Sequence, residues 1–346
     1  MKKKALFVLL GTVLFLLLLA GSALGWLYNK INSPVFGNHP DAKTATIYID
    51  DKKGYANLLL QLDTLGVGDL QLFEKLSSYM KYPENIKAGK YDIKPGLSYL
   101  ELIRKLRSGN QDPIHFTFNN MRLKEDLVKR VGEQFQFGSD ALREKLDDDS
   151  VCRSFGFDTH TIVSMFIPNT YEMYWNISVD KFLERMNNEY NRFWNDDRRE
   201  KAASQSLSPL EVSVLASIVE EETAVPAEYP VVAGLYLNRL KKGMLLQADP
   251  TVKFAVGDVS LRRILFKHLE TDSPYNTYRN PGLPPGPIRI PSIACIEAVL
   301  KPARHDYLFM VAEADFSGKH HFSRTLSEHT IYARKYQDAL NRSGIR

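Results

Sequence analysis

An uncharged run from Ala5 to Asn29 limits this chain more than any other feature. Its centre, Leu14 to Leu19, is Leu and Phe throughout. A helix of about 20 apolar residues crosses the roughly 30 Å of hydrocarbon in a bilayer, and this run is long enough to do so. Trp26 and Tyr28 lie near its end, where amphipathic rings favour the membrane–water interface. Lys2, Lys3 and Lys4 precede the span and only Lys30 follows it closely, which predicts a cytoplasmic N-terminus. A cleaved signal peptide, cut near Gly21-Ser22-Ala23, is the alternative. Signal peptides have shorter apolar cores, about 7–15 residues, so an anchor is the better reading. Either way, the chain after Asn29 is expected outside the cytoplasm; with the anchor retained, the protein would be a single-pass protein of the inner (plasma) membrane. No second long apolar run follows, which argues against a channel or transporter.

The remaining composition is that of a globular protein: 44% of the 346 residues are hydrophobic and 25% charged. A net charge of +4 with both signs interspersed leaves no nucleic-acid footprint. Cys152 and Cys295 have neither metal-ligand spacing nor a CxxC pattern, and the sequence alone does not say whether they pair. Residues 1–30 read as a short cytoplasmic tip plus anchor. Residues 31–43, with Pro34, Gly37 and Pro40, read as a linker.

Residues 44–110 read as a small module of strand, helix, helix, strand and helix. Thr44–Asp50 alternates as a strand, and Leu58, Leu59, Leu62 and Leu65 share one helix face. Ser98 and Glu101 form a capping box at the start of the module's last helix. Residues 111–346 read as a larger domain, with a strand at His115–Phe118 and mainly helical patterns from Leu123. Phe166–Tyr171 reads as a loop. The fold class is therefore α+β: an N-terminal transmembrane helix, a small α/β module and a larger mixed domain.

Ser208-Pro209-Leu210-Glu211 opens a helix with three agreeing signals: a cap, a proline in the first turn and a capping box. At about 100° per residue, Val212, Val214, Leu215, Ile218 and Val219 form an apolar stripe. Glu222 falls within that stripe, Glu221 on its flank and Glu220 on the opposite, solvent-facing side. A carboxyl held against apolar groups has its charged form disfavoured, so its pKa rises, as a general acid near neutral pH requires. Three acids at a fraying helix end could equally be a solvated terminus.

Downstream, a turn at Gly243 and a break at Asp249-Pro250 suggest a loop presenting polar groups. Ser273–Tyr278 carries aromatic and amide groups suited to sugars, and the Pro/Gly-rich Gly282–Ile288 segment is stiff. His320, His321 and His329 have no acid or cysteine at a recognised ligand spacing, and read as strand and helix surface. No nucleophile elbow, Walker loop or dinucleotide fingerprint occurs in its required context.

Ala216–Thr223, Asn238-Arg239-Leu240, Leu246–Thr251, Ser273–Tyr278 and Gly282–Ile288 together resemble, in order and spacing, the endolytic murein transglycosylases of the MltG (YceG-like) family. The resemblance is most specific from Ala216 to Pro291. It implies that the leading module is LysM-like and that Glu222, before Thr223, is the catalytic acid. It further implies substrate contacts at Gln247, Asp249, Tyr275, Asn276 and Thr277. Peptidoglycan glycan strands would be the partner, with peptidoglycan synthases as further candidates. No metal or cofactor is implied. The implied reaction cleaves the MurNAc–GlcNAc β-1,4 bond within nascent strands, leaves 1,6-anhydro-MurNAc ends and limits strand elongation.

Two positions depart from the family pattern. Asn169 stands where an Asp is usual, and Asn119-Asn120 stands where a small Gly-containing turn is usual before Met121-Arg122. A non-catalytic, membrane-anchored wall-binding protein, or a structural component of the division or elongation machinery, would share the anchor and loops. Neither accounts for an acid on an apolar stripe.

Overall fold

The computed structural model describes residues 2–36, 43–50, 54–258, 261 and 264–343. The architecture is mixed α and β, and the chain divides into two compact units. The first comprises Met1–His115 with Glu172–Ile177, the second Phe116–Tyr171 with Ser178–Arg346.

The first unit begins with α1 (Lys2–Ile31). Its Lys4–Ile31 portion is long and apolar enough to cross a membrane, and none of its apolar window is buried within the protein. After it come β1 (Ala45–Ile49), α2 (Gly54–Thr64), α3 (Leu70–Tyr79), β2 (Gly89–Ile93) and α4 (Tyr99–Ser108). β1 and β2 pair antiparallel, with Ile47 opposite Tyr91. Alternation turns Ile47, Ile49, Tyr91 and Ile93 inward, against Leu58, Phe73, Leu102 and Leu106. Ser98 and Glu101 form the expected capping box on α4, which ends at Gly109 in the left-handed conformation.

The expected linker is partly structural. Val35 is fully buried in this core, and Pro34 bridges to Ser98. Residues 37–42 of that linker lie outside the described residues. The segment Glu172–Ile177 belongs to this unit as well: Trp175 lies 5.1 Å from the Tyr48 ring, and Asn176 donates to Ala88 O.

The second unit is mostly helical. β3 (Ile114–Phe118) pairs with β4 (Asn169–Met173), so part of the segment expected as a loop is a strand. Between them lie α5 (Lys124–Gly132), α6 (Gly138–Asp147) and α7 (Asp149–Ser154). Then follow α8 (Val179–Phe193), α9 (Asp196–Ser204), α10 (Pro209–Glu222), α11 (Tyr229–Lys241), α12 (Asp249–Val256) and α13 (Phe266–Leu269). α14 (Ile293–Leu300), β5 (Phe309–Ala312), β6 (His320–Ser323) and α15 (Leu326–Ser343) complete it. β5 and β6 form an antiparallel pair, packed against α15. Cys152 and Cys295 are both buried and free, so they do not pair.

α10 is the centre of this unit, packed against α9, α11, α12 and α14. Every residue from Val212 to Val219 is buried, including Ser213 and Ser217. A helix apolar on one stripe faces one neighbour, whereas a helix enclosed on all sides has no solvent face. The expected solvent-facing side of α10 therefore does not exist. Gly234 permits the close approach on α11: a Cβ there would lie 2.6 Å from Ala303 O.

Candidate active site

α10 starts as its sequence dictates. Ser208 caps Glu211 N–H, the Glu211 carboxylate accepts from Ser208 N–H, and Pro209 occupies the first turn. The helix ends at Glu222, so Glu222 sits where the enclosed helix emerges into a cavity of about 220 Å³. Glu222, Tyr236, Arg239, Gln247, Asp249 and Tyr278 line this cavity, closed on one side by Met310–Ala312 of β5 and His320 of β6.

Tyr236 O–H donates to Glu222 Oε1 at 2.5 Å. The Glu222 carboxyl is densely surrounded by protein, although part of the residue stays accessible from the cavity. Burial raises its pKa from the ordinary carboxylate value to about 7. The Tyr236 hydrogen bond opposes this, the Asp249 charge reinforces it, and Arg239 and Lys253 oppose it.

Asp249 is the first residue of α12, not part of an irregular loop, and Tyr278 O–H donates to its Oδ1 at 2.5 Å. Gln247 is exposed to the cavity in the left-handed region, at φ 51°, an uncommon conformation for a non-glycine residue. Its N–H donates to Thr277 O.

Asn276 and Thr277 are buried and occupied elsewhere. Asn276 Nδ2 donates to Leu269 O and Thr271 O, and its Oδ1 accepts from Tyr278 N–H. Thr277 Oγ1 accepts from Ala248 N–H and shares a hydrogen bond with Thr251 Oγ1. Their side chains shape the loop carrying Tyr278 and the turn carrying Gln247, without reaching the cavity. Tyr275 is buried against Phe254, with ring centroids 4.7 Å apart, and lines a different cavity.

Sequence reasoning passed over Tyr236, Arg239, Tyr278 and His320. The Arg239 guanidinium is buried: Nε donates to Leu308 O at 2.6 Å and Nη1 to Leu246 O at 2.7 Å. It ties α11 to the Gln247 turn and to the start of β5. His320 was expected as plain surface. Instead its N–H and Nδ1 both meet the Glu228 carboxylate, which also accepts from Thr223 Oγ1 at 2.8 Å. Thr223 follows Glu222 directly, so this buried cluster fixes the backbone just beyond the acid. Arg239 and Tyr278 stand inside recognisable segments. Tyr236 and His320 carry no local signal, because packing between elements distant in sequence brings them to the acid.

Glu220 corrects the helical-wheel expectation. Its side chain is 5% exposed, accepting from Asn120 Nδ2 at 2.5 Å and from Ser292 N–H at 2.7 Å. Glu221 is clamped by Arg122 and Arg289, at 2.6 and 2.7 Å. Glu220 and Glu221 share Arg289, and of the three adjacent acids only Glu222 lines the polar cavity. Among the described residues, no group of three or more His, Cys, Asp or Glu side chains is placed to hold a metal ion.

The model of the YceG-like family matches residues 47–335, and this chain belongs to that family. It is 30% identical over 281 residues to the endolytic murein transglycosylase of Bacillus subtilis (strain 168), covering 76% of this chain and 77% of that one. It is 24% identical to the endolytic murein transglycosylase of Streptococcus pneumoniae (strain D39), covering 93% of this chain and 64% of that one. The chain therefore spans less than two thirds of the pneumococcal protein. A crystal structure of a YceG-like protein from Listeria monocytogenes aligns with a TM-score of 0.55 at 26% identity, covering 84% of this chain and 98% of that one.

Proposed function

We propose that this chain is a membrane-anchored lytic transglycosylase that cleaves peptidoglycan glycan strands, with Glu222 as acid and then base. The observation that carries the reading is the Glu222 carboxyl, raised to a near-neutral pKa by burial, at the mouth of a polar cavity. The names of the Bacillus and Streptococcus relatives support the same reaction class and substrate.

Tyr236 occupies Glu222 Oε1, leaving Oε2 for the substrate. Protonated Glu222 donates to the oxygen of the MurNAc–GlcNAc β-1,4 bond as the C1–O bond breaks. The positive charge that develops at the sugar is eased by its own N-acetyl group and by the nearby Asp249 carboxylate. Ionised Glu222 then takes the proton of the MurNAc 6-hydroxyl as that oxygen bonds to C1. The acid is regenerated, no water is consumed, and the product end is 1,6-anhydro-MurNAc. Glycosidases with paired carboxylates use two groups where one serves here. Gln247 and Asp249 touch substrate, whereas Asn276 and Thr277 act by holding the loops.

The N-terminal helix serves as a single-pass anchor with residues 2–4 in the cytoplasm and everything after it outside. The first unit, whose βααβ order suits a LysM-like module, would grip the strand. Cleavage near the membrane would end elongation of nascent strands.

The direct test is digestion of purified sacculi by the full chain in detergent. Mass spectrometry should find anhydro-MurNAc ends, and Glu222→Gln should lose at least about 10²-fold in rate, the usual scale for general acid–base catalysis. Full activity in Glu222→Gln would remove the assignment.

A further inference from the structure

The cavity at Glu222, about 220 Å³, is smaller than the roughly 300–1,000 Å³ pockets that enclose drug-sized ligands. A strand cut internally must continue on both sides of the broken bond, so further sugars need another place. A second cavity of about 400 Å³ lies within the same unit. Val163, Phe254, Tyr275 and Ile288 give it an apolar side; its polar side holds His160 together with Arg122, Lys124 and Arg289, each of which is also paired to a carboxylate. Glu125 is its one carboxylate. That balance suits a ligand with one apolar face and many acceptor oxygens.

α12 contributes to the lining of both cavities, Asp249 to the first and Phe254 to the second. Lys253, one turn on from Asp249, lines a narrow cleft with Glu221 and Pro250. Arg122, Phe254 and Ile288 line both that cleft and the second cavity. Arg289 is held by Glu221 at 2.7 Å, and its Nε lies 3.8 Å from Glu220 Oε2.

We infer that the Phe254–Tyr275 cavity is a distal glycan subsite, which takes an N-acetylated sugar ring of the strand beyond the residues held at Glu222. The inference rests on the proposed reading. In it, Phe254 offers its ring to the apolar face of the sugar, and Arg122 and His160 donate to hydroxyl and acetamide oxygens. This subsite makes strand length matter to an enzyme whose acid cavity alone is small.

The test uses full-length Glu222→Gln protein in detergent, so that binding is read without cleavage. Peptide-free glycan oligomers are titrated, a disaccharide against chains of eight or more sugars. Phe254→Ala and, separately, His160→Ala are placed in that background, with thermal melts confirming the fold. Loss of the stacking ring should weaken long-chain binding about three- to tenfold while disaccharide affinity stays within about twofold. Equal effects on short and long chains in both variants, or none on either, would overturn the subsite while leaving the transglycosylase reading intact. Failure of every oligomer to bind would overturn both.

Discussion

At Glu222 opposing influences set one proton affinity, and each belongs to a residue that can be changed. Burial raises the pKa, the Tyr236 hydroxyl lowers it by bonding the ionised form, and Asp249 raises it by like charge. The proposed reaction needs the protonated acid, so activity should fall as pH rises through about 7. Asp249→Asn removes the repulsive charge, lowers the Glu222 pKa and should move this alkaline limb to lower pH. Tyr236→Phe removes a bond to the ionised form and should move the limb to higher pH. Full pH–rate profiles of the two variants check this. Shifts in the same direction for both would contradict the assigned causes. If Asp249 were a nucleophile, its Asn variant would instead lose activity at every pH, as severely as Glu222→Gln.

Periodicity places Glu222 among Leu215, Val219 and Ile218, and its carboxyl is indeed enclosed by protein. The same periodicity misreads Glu220. A helical wheel supposes one buried face, while α10 is enclosed by four helices and by the Ser292 backbone. Glu220 is hence a buried structural acid, linking Asn120 to the start of α14.

Among the elements, those announced by local chemistry were readable. Capping boxes at Ser98 and Ser208 start α4 and α10 where their sequences indicate. Alternation exposes β1 and β2 as a half-buried pair. The segments around the site were less readable, because tertiary hydrogen bonds define them. Asp249-Pro250 looks like a break, yet proline suits a first helical turn, and α12 begins there.

The Ser273–Tyr278 loop owes its shape to Asn276, whose amide satisfies two carbonyls and one N–H. Asn276→Ala should destabilise the protein by about 1–3 kcal/mol, the cost of leaving buried polar groups unpaired. It should also lower activity by misplacing Tyr278, with the Glu222 pKa little altered. Thermal denaturation together with a pH–rate profile separates this scaffolding effect from direct substrate contact. A fully stable Asn276→Ala variant would contradict the scaffold role.

For the whole molecule, the order is an apolar helix, a small α/β unit and a helix-rich unit carrying the acid. In the proposed reading, an anchored helix would restrict the enzyme to substrate near the membrane. Protease added to the outer face of intact spheroplasts should degrade both units while leaving a tag before Lys2 protected. A mature chain beginning after Ala23 would instead indicate a processed signal peptide. The central claim is that one carboxyl breaks the strand without water. Digestion of glycan strands by the full chain in ¹⁸O-labelled water, followed by mass spectrometry of the fragments, tests it most directly. Unlabelled 1,6-anhydro-MurNAc ends should form within long strands and be lost in Glu222→Gln. Labelled reducing ends as the main product would contradict the claim, even with Glu222 still essential.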